Sequence, residues 1–232
     1  MNRFRYYYLA LLLPFLALTA CSENNRQTET AQKAETTAPA PKPEHKERKV
    51  ILFFGNSLTA GYGLESDESF PARIQAKMDS AGYNYKAINA GVSGETTSTG
   101  KNRVGWVLDQ QEVSIFVLEL GANDGLRGIP VNQTKNNLLA IIDSVNRKQP
   151  QTKIVLAGMM VPPNMGATYS NDFKNIFPEI AKEKNVELIP FLLEGVAAID
   201  SLNLPDGIHP NASGQKLVAR NVWEILEPML EK

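Results

Sequence analysis

The run Val50-Ile51-Leu52-Phe53-Phe54-Gly55-Asn56-Ser57 decides the fold class of this 232-residue chain. Five consecutive apolar residues that are stopped by a glycine are typical of a strand buried on both faces. Four more strands are predicted along the chain, at residues 83–89, 113–120, 154–160 and 186–191. Helical patterns alternate with them, at residues 69–78, 97–108, 131–148, 173–184 and 213–230. Such alternation predicts an α/β domain in which helices cover both faces of a parallel sheet.

Two residues in the predicted loops are candidates for acyl-transfer chemistry. His209 is one of only two histidines, and the other, His45, lies in a polar tract. An imidazole is the side chain best suited to act as a general base near neutral pH, and Asp206 could orient it. Ser57 follows the first strand, where a strand-to-helix turn can expose its hydroxyl and its N–H. The alternatives without chemistry are an Asn-Ser turn at Ser57 and a capped turn at His209.

Two further loops could stabilise an oxyanion. Gly94 lies in the loop after the second strand, and its N–H could approach a substrate oxygen closely because it has no side chain. Asn123 follows the central strand, and its amide could donate a hydrogen bond to developing negative charge. Taken singly, the first is a glycine-rich loop and the second a turn residue.

The joint occurrence and order of these blocks resemble the SGNH (GDSL-type) hydrolases, esterases named for residues in four blocks. Ser57, Gly94, Asn123 and His209 match the four letters, and Asp206 matches the acid of the family's Asp-x-x-His motif. The resemblance extends over residues 50–230. It is greatest to the small secreted subgroup of arylesterases, thioesterases and lysophospholipases.

This resemblance implies a three-layer, flavodoxin-like α/β/α fold that needs no cofactor. It implies a triad of Ser57, His209 and Asp206, and an oxyanion hole formed by Ser57, Gly94 and Asn123. The expected substrates are acyl esters or thioesters, including lysophospholipids. The alternatives are a carbohydrate O-acetyl esterase and a lipoprotein that binds acylated ligands without catalysis. Residues 162–169 could line a groove for an acyl chain or form a plain surface loop.

Asn56 and Asp124 are the neighbours in sequence of two predicted site residues, Ser57 and Asn123. The family usually carries Gly-Asp-Ser, whereas this chain has Asn56 before the serine. Because Asp206 orients the histidine, we expect Asn56 to keep the local turn without loss of a catalytic group, although a charge beside the nucleophile is removed. Asp124 is expected to be structural, with substrate positioning as the alternative.

The N-terminal region predicts delivery to a cell envelope. Residues 1–20 have the basic start and the short apolar run of a signal peptide, and they lead into Leu18-Thr19-Ala20-Cys21. This matches the pattern at which bacterial lipoproteins are cleaved and acylated, so Cys21 is the expected lipidation site. A plain signal peptide and a transmembrane anchor are the alternatives. Ser22 favours the outer membrane in a cell that has one, with the protein facing the periplasm.

The rest of the chain divides into a tether and one domain. Residues 21–49 are polar and cannot offset their ordering entropy by burial, so we predict a flexible tether or, alternatively, a tail that binds a partner. Residues 50–232 form the predicted hydrolase domain, expected to be a monomer. Removal of the signal leaves 22 basic and 25 acidic residues, dispersed in a way that does not favour nucleic acid. With one histidine and no cysteine in this domain, no metal site is predicted.

Overall fold

A computed structural model describes residues 47–232 of the chain. The predicted signal peptide, the lipidation site at Cys21 and nearly all of the predicted tether lie outside the described residues, as does His45.

The described part contains a five-stranded sheet whose strands are all parallel. The strands are β1 (Lys49–Gly55), β2 (Tyr85–Gly91), β3 (Ile115–Glu119), β4 (Lys153–Ala157) and β5 (Glu187–Ile189). Their order across the sheet is β2-β1-β3-β4-β5. The predicted parallel sheet is therefore confirmed, and each strand lies within a few residues of its predicted position.

Seven α-helices connect and flank the strands of the described region. They are α1 (Ser57–Ala60), α2 (Phe70–Ser80), α3 (Thr97–Leu108), α4 (Ala122–Leu126), α5 (Val131–Lys148), α6 (Ala167–Lys184) and α7 (Ala212–Leu226). Helix α6 begins at Ala167 rather than at residue 173, and α7 is followed by a 3-10 turn over Glu227–Met229. Helices α1 and α4 are not predicted from the sequence, because a helix of one turn is too short to show a 3.6-residue hydrophobic period.

The helices pack in two layers, which gives the three-layer α/β/α arrangement. Helices α2 and α7 contact each other on one side of the sheet, and α3, α5 and α6 form a contiguous layer on the other. The strand residues between the layers, such as Leu52, Phe116 and Val155, are completely buried. Gly100 lets α3 approach the sheet closely, because a Cβ there would lie 2.4 Å from the side chain of Leu120. Gly100 therefore permits close packing of α3, although glycine has a low intrinsic helix propensity.

The strand order positions the candidate site. The chain leaves β1 for β2 on one side and then returns to β3 on the other side. This reversal opens a crevice at the carboxyl ends of β1 and β3, which is where ligands bind in open α/β sheets. Ser57 follows β1, and Asn123 follows β3. Among residues 47–232, no helix combines the length and the hydropathy that a membrane span requires.

Candidate active site

Ser57, His209 and Asp206 form a continuous chain of hydrogen bonds. The Oγ of Ser57 lies 2.9 Å from Nε2 of His209, and the other ring nitrogen, Nδ1, lies 2.8 Å from Oδ2 of Asp206. Ser57 is 152 residues from His209 in sequence, so only the fold brings the two together. A serine hydroxyl beside an imidazole that a carboxylate orients is the arrangement of a nucleophile, a general base and an orienting acid.

The Asp206 carboxylate is held by its own backbone as well as by the imidazole. Its Oδ1 accepts hydrogen bonds from the backbone N–H groups of Ile208 and His209, both at 3.0 Å. These contacts favour the ionised form, and the N–H of Ile208 is the strongest factor that lowers the pKa of Asp206, to about 2. Asp206 is therefore an anion throughout the neutral range, able to hold the imidazole with Nδ1 protonated.

The nucleophile turn, residues 55–59, presents Ser57 at the first position of α1. Asn56 caps this helix, since its Oδ1 accepts a hydrogen bond of 2.9 Å from the N–H of Leu58. The turn expected at Asn56 is thus present without the family's aspartate. Ser57 is 8% exposed, and its N–H belongs to the helix terminus, where backbone donors have no partner within the helix.

The loop that carries Gly94 is fixed to α4, which carries Asn123. The Nδ2 of Asn123 donates to the carbonyl of Glu95 at 3.0 Å, and Arg127 donates to the carbonyl of Gly94 at 3.1 Å. Gly94 has a φ of +80°, and a Cβ there would meet open space. One N–H of the Asn123 amide is used by Glu95, which leaves the second for another acceptor. The two sequence blocks are therefore neighbours, as the resemblance predicts.

A buried ion pair supports the same loop. Glu95 and Arg103 form a bidentate contact, with Nε to Oε1 at 2.8 Å and Nη2 to Oε2 at 2.5 Å. The guanidinium also donates to the carbonyl of Ala90 at 3.0 Å and lies over the ring of Phe54 at 4.0 Å. Sequence reasoning assigned no role to this pair, because residues eight apart on a loop and a helix give no spacing signal.

Asp124 is fully buried and has a structural role. Its carboxylate accepts from the backbone N–H of Thr97 at 2.9 Å and from the hydroxyl of the same residue. It thereby joins the start of α3 to α4, and it lies too deep to contact a substrate. Between the two alternatives for Asp124, the structure supports the structural one.

Apolar side chains are exposed in the loops at the carboxyl ends of the strands. The most exposed is Tyr62 at 51%, and its ring lies against the His209 imidazole in a tilted arrangement, with centroids 4.6 Å apart. Others in these loops are Val92, Met160 and Ile208, and Leu126 is exposed at the end of α4. In residues 162–169, Tyr169 donates its hydroxyl to the carbonyl of Ile129 and stacks on Phe173, so its ring packs against the domain.

A family model identifies the chain by sequence. The model of the GDSL-like Lipase/Acylhydrolase family matches residues 53–217, a stretch that includes all five predicted site residues. The chain belongs to this family. It is a carboxylic ester hydrolase with the SGNH hydrolase fold.

Characterised relatives agree on the type of chemistry. Esterase TesA of Pseudomonas aeruginosa is 34% identical over 182 residues, which cover 78% of this chain and 90% of the relative. The arylesterase of Vibrio mimicus is 36% identical, with 76% and 87% covered. The thioesterase 1/protease 1/lysophospholipase L1 of Escherichia coli K12 is 34% identical, with 78% and 85% covered.

Solved structures show the same fold over the same part of the chain. The crystal structure of TesA superposes with a TM-score of 0.75 at 34% identity and covers 78% of this chain and all of that one. The esterase EstA of Pseudoalteromonas sp., in a structure inhibited by monoethylphosphonate, gives a TM-score of 0.74 at 32% identity. It covers 78% of this chain and 98% of that one.

In this GDSL-family site, hydrogen bonds join Ser57, His209 and Asp206, and a separate contact ties Asn123 to the loop of Gly94. The roles of these five residues remain predictions. Sequence reasoning assigned no role to Tyr62, which belongs to the Gly61-Tyr62-Gly63 stretch that carries the family resemblance. It also assigned none to the fully buried carboxylate of Glu119, which accepts hydrogen bonds from Asn56 and Thr59 beneath the nucleophile. An acidic residue at the end of a buried strand, where apolar residues are the rule, was the available signal for Glu119. No group of three or more potential metal ligands lies close together within residues 47–232.

Proposed function

We propose that this serine esterase hydrolyses amphiphilic acyl esters and thioesters through Ser57, His209 and Asp206. The observation that carries the proposal is the pair of hydrogen bonds, 2.9 and 2.8 Å long, that joins the three side chains. His209 accepts the Ser57 proton as Oγ attacks the acyl carbonyl, and then passes it to the leaving alcohol or thiol. Water repeats the sequence on the acyl-enzyme and releases the acid. Asp206 stabilises the imidazolium in both steps.

The tetrahedral intermediate carries its negative charge on the former carbonyl oxygen. We assign its stabilisation to the backbone N–H groups of Ser57 and Gly94 and to the second amide N–H of Asn123. The contact between Asn123 and the Glu95 carbonyl supports this assignment, since it orients the amide before the substrate arrives. Donors that are fixed in advance stabilise the transition state without reorganisation.

The apolar loops favour an acyl chain over a sugar as the group beside the triad. Tyr62 and Ile208 flank His209, while Val92 and Leu126 lie close in sequence to Gly94 and Asn123. Contact with an acyl chain would remove this apolar surface from water. The relatives named as an arylesterase and as a thioesterase and lysophospholipase support the same substrate class.

The test is hydrolysis of p-nitrophenyl esters from acetate to palmitate by the purified full-length protein. We expect kcat/KM to rise toward medium or long chains, and Ser57→Ala to abolish turnover. Ser80→Ala, which alters an exposed serine on α2, is the matched control and should keep full activity. A phosphonate ester should label Ser57, as read by mass spectrometry. Turnover that persists in Ser57→Ala would refute the mechanism, and activity on acetate alone would support the carbohydrate O-acetyl esterase instead.

We also propose that the enzyme is a monomer held at the periplasmic face of a membrane by a lipid on Cys21. The sequence pattern before Cys21 supports the lipid anchor. Cys21→Ala should abolish incorporation of labelled palmitate. Activity on soluble esters should not change, because Cys21 lies outside the catalytic domain. Palmitate incorporation that persists in Cys21→Ala would contradict the anchor.

A further inference from the structure

A fully buried carboxylate lies directly beneath the nucleophile turn. Glu119 ends β3 and pairs in register with Gly55, the last residue of β1. Its Oε1 accepts from Nδ2 of Asn56 at 2.8 Å. Its Oε2 accepts from the N–H of Asn56 at 3.1 Å, and from the N–H and hydroxyl of Thr59 at 3.3 and 2.7 Å. All four donors belong to the nucleophile turn and none of them is charged.

The backbone is shaped to let this carboxylate reach the turn. A Cβ at Gly55 would lie 2.5 Å from Oε2 of Glu119 and 2.1 Å from Oγ1 of Thr59. These distances leave no room for any side chain. Gly55 therefore permits the contact between the central strand and the turn, in addition to ending β1.

Asn56 transmits the position of Glu119 to the serine. One end of its amide donates to Glu119, and the other end, Oδ1, accepts from the N–H of Leu58 at 2.9 Å. The same Oδ1 lies 3.4 Å from Oγ of Ser57. A displacement of Asn56 would therefore move Ser57 relative to His209, and the hydrogen bond of 2.9 Å between them would be lost.

We propose that Glu119 is a positioning residue for Ser57. The amide of Asn56 lets the single buried carboxylate of Glu119 hold the turn without a proton shared between two carboxyl groups. The proposal rests on Ser57 being the nucleophile. With an aspartate at position 56, two carboxyl groups would face each other across the 2.8 Å contact. Like charges at this distance cannot both be ionised in a buried site, so the pair would have to hold a proton. The amide of Asn56 supplies a donor that needs no proton from solution.

The test is a reciprocal exchange of the two side chains, assayed with p-nitrophenyl butyrate. In Glu119→Gln, one amide N–H must face another donor, because Asn56 also presents an N–H there. We expect kcat to fall roughly ten- to a hundredfold with little change in KM, since a small misplacement of a reacting group acts on the chemical step. The double variant N56D/E119Q restores one donor and one carboxylate across the same contact, so its kcat should return to within about threefold of wild type.

The single variant Asn56→Asp provides a separate readout through its pH profile. The carboxyl pair in this variant holds a proton at low pH and loses it as the pH rises, so kcat/KM should decline on the alkaline side. The wild type should show no such alkaline decline, because loss of a proton from Glu119 leaves a carboxylate that faces four donors rather than a second carboxylate. The double variant, with one carboxylate facing an amide, should show none either. The matched control is Thr152→Val, which removes a buried hydrogen bond to the carbonyl of Val113 at the amino-terminal ends of β3 and β4, far from the site. It should lower stability without lowering kcat.

Each outcome of these assays either supports or overturns the proposal. A double variant as impaired as Glu119→Gln at every pH would overturn the proposal, and so would a Glu119→Gln enzyme with wild-type kcat. If Glu119→Gln does not fold, recovery of folding and activity in N56D/E119Q supports the proposal. In that case the proposal is overturned if kcat/KM of Asn56→Asp does not decline at alkaline pH. If the exchange fails to restore kcat and Ser57→Ala is inactive, only this inference is refuted, and the catalytic role of Ser57 stands. An active Ser57→Ala would instead remove the catalytic role on which it rests.

Discussion

The aromatic ring of Tyr62 lies against the imidazole of His209, with centroids 4.6 Å apart and planes inclined by 36°. Tyr62 follows the nucleophile by five residues and is half exposed, whereas His209 comes from the loop before the last helix. The ring thus covers one face of the base and limits the positions that the imidazole can take. It also places π-electron density beside the imidazolium that forms during turnover.

The Tyr62 contact predicts that the ring matters and the hydroxyl does not. Stacking of a cation on an aromatic face is worth about 1 kcal/mol at an exposed site, so Tyr62→Ala should lower kcat/KM about fivefold. Tyr62→Phe keeps the ring and should match the wild type. Steady-state kinetics on p-nitrophenyl butyrate measure both variants. A Phe variant as impaired as the Ala variant would show that the phenol oxygen is the functional group.

Replacement of the Asp206 carboxylate should be far more damaging. Asp206→Asn keeps the shape but presents an amide to Nδ1 of His209 and favours the wrong imidazole tautomer, so kcat should fall by about 10⁴. Because the pKa of Asp206 is lowered to about 2, its protonation cannot account for any loss of wild-type activity near neutral pH. Single-turnover acylation rates measure the loss. A fall of less than tenfold would show that Asp206 does not orient the base.

The amide of Asn123 is predicted to act only in the transition state. Asn123→Ala should raise the barrier by about 3 kcal/mol and lower kcat by about two orders of magnitude, with KM little changed. Asn123→Asp should be no better, because a carboxylate would face the developing oxyanion. Comparison of kcat and KM for one ester tests this. A rise in KM at constant kcat would assign Asn123 to substrate binding instead.

Removal of one partner of the Glu95–Arg103 ion pair should lower the free energy of unfolding. The side chains of Glu95 and Arg103 are 4% and 22% exposed, so Arg103→Met leaves a buried carboxylate without its partner. Removal of one member of such a pair typically costs about 3 kcal/mol. Urea unfolding should show this loss, and Glu95→Gln combined with Arg103→Met should recover part of it. Equal stability of the single and the double variant would contradict this account.

The sequence predicts the sheet and the site members for different reasons. The strands are visible because buried parallel strands are continuous apolar runs, and Val50-Ile51-Leu52-Phe53-Phe54 is completely buried apart from its first residue. Ser57 is found because it follows a buried strand, His209 because it is one of only two histidines, and both because the order of the blocks resembles a known family. Their meeting across 152 residues could not be deduced from local pattern, since only the crossover topology brings them together.

The contacts of the supporting residues escape sequence reasoning because their partners are remote. Glu119 acts on a turn 60 or more residues earlier, and Asp124 joins to Thr97 through contacts 27 residues apart. Neither relationship has a fixed spacing that a pattern could detect. The start of α6 at Ala167 was missed for a local reason, since the Pro-Pro-Asn-Met-Gly stretch before it is typical of a loop.

Glu119 finally predicts how stability depends on pH. Burial raises the pKa of Glu119 to about 7 from an ordinary value of 4.5, against hydrogen bonds that lower it. Between these two values the native state binds more protons than the unfolded state. The free energy of unfolding therefore carries a contribution that is fully present below about 4.5 and is lost as the pH rises through 7.

Glu119→Gln cannot titrate at this position, so it isolates that contribution. The stability of the wild type relative to Glu119→Gln should decrease as the pH rises through this window, by at most about 1.4 kcal/mol per pH unit. Urea unfolding at several pH values, from about pH 5 to about pH 8, measures the difference. Curves that run parallel for the two proteins would show that Glu119 titrates alike in the folded and unfolded chains. Its four hydrogen bonds would then offset its burial in full, so that the carboxylate would be ionised across the neutral range.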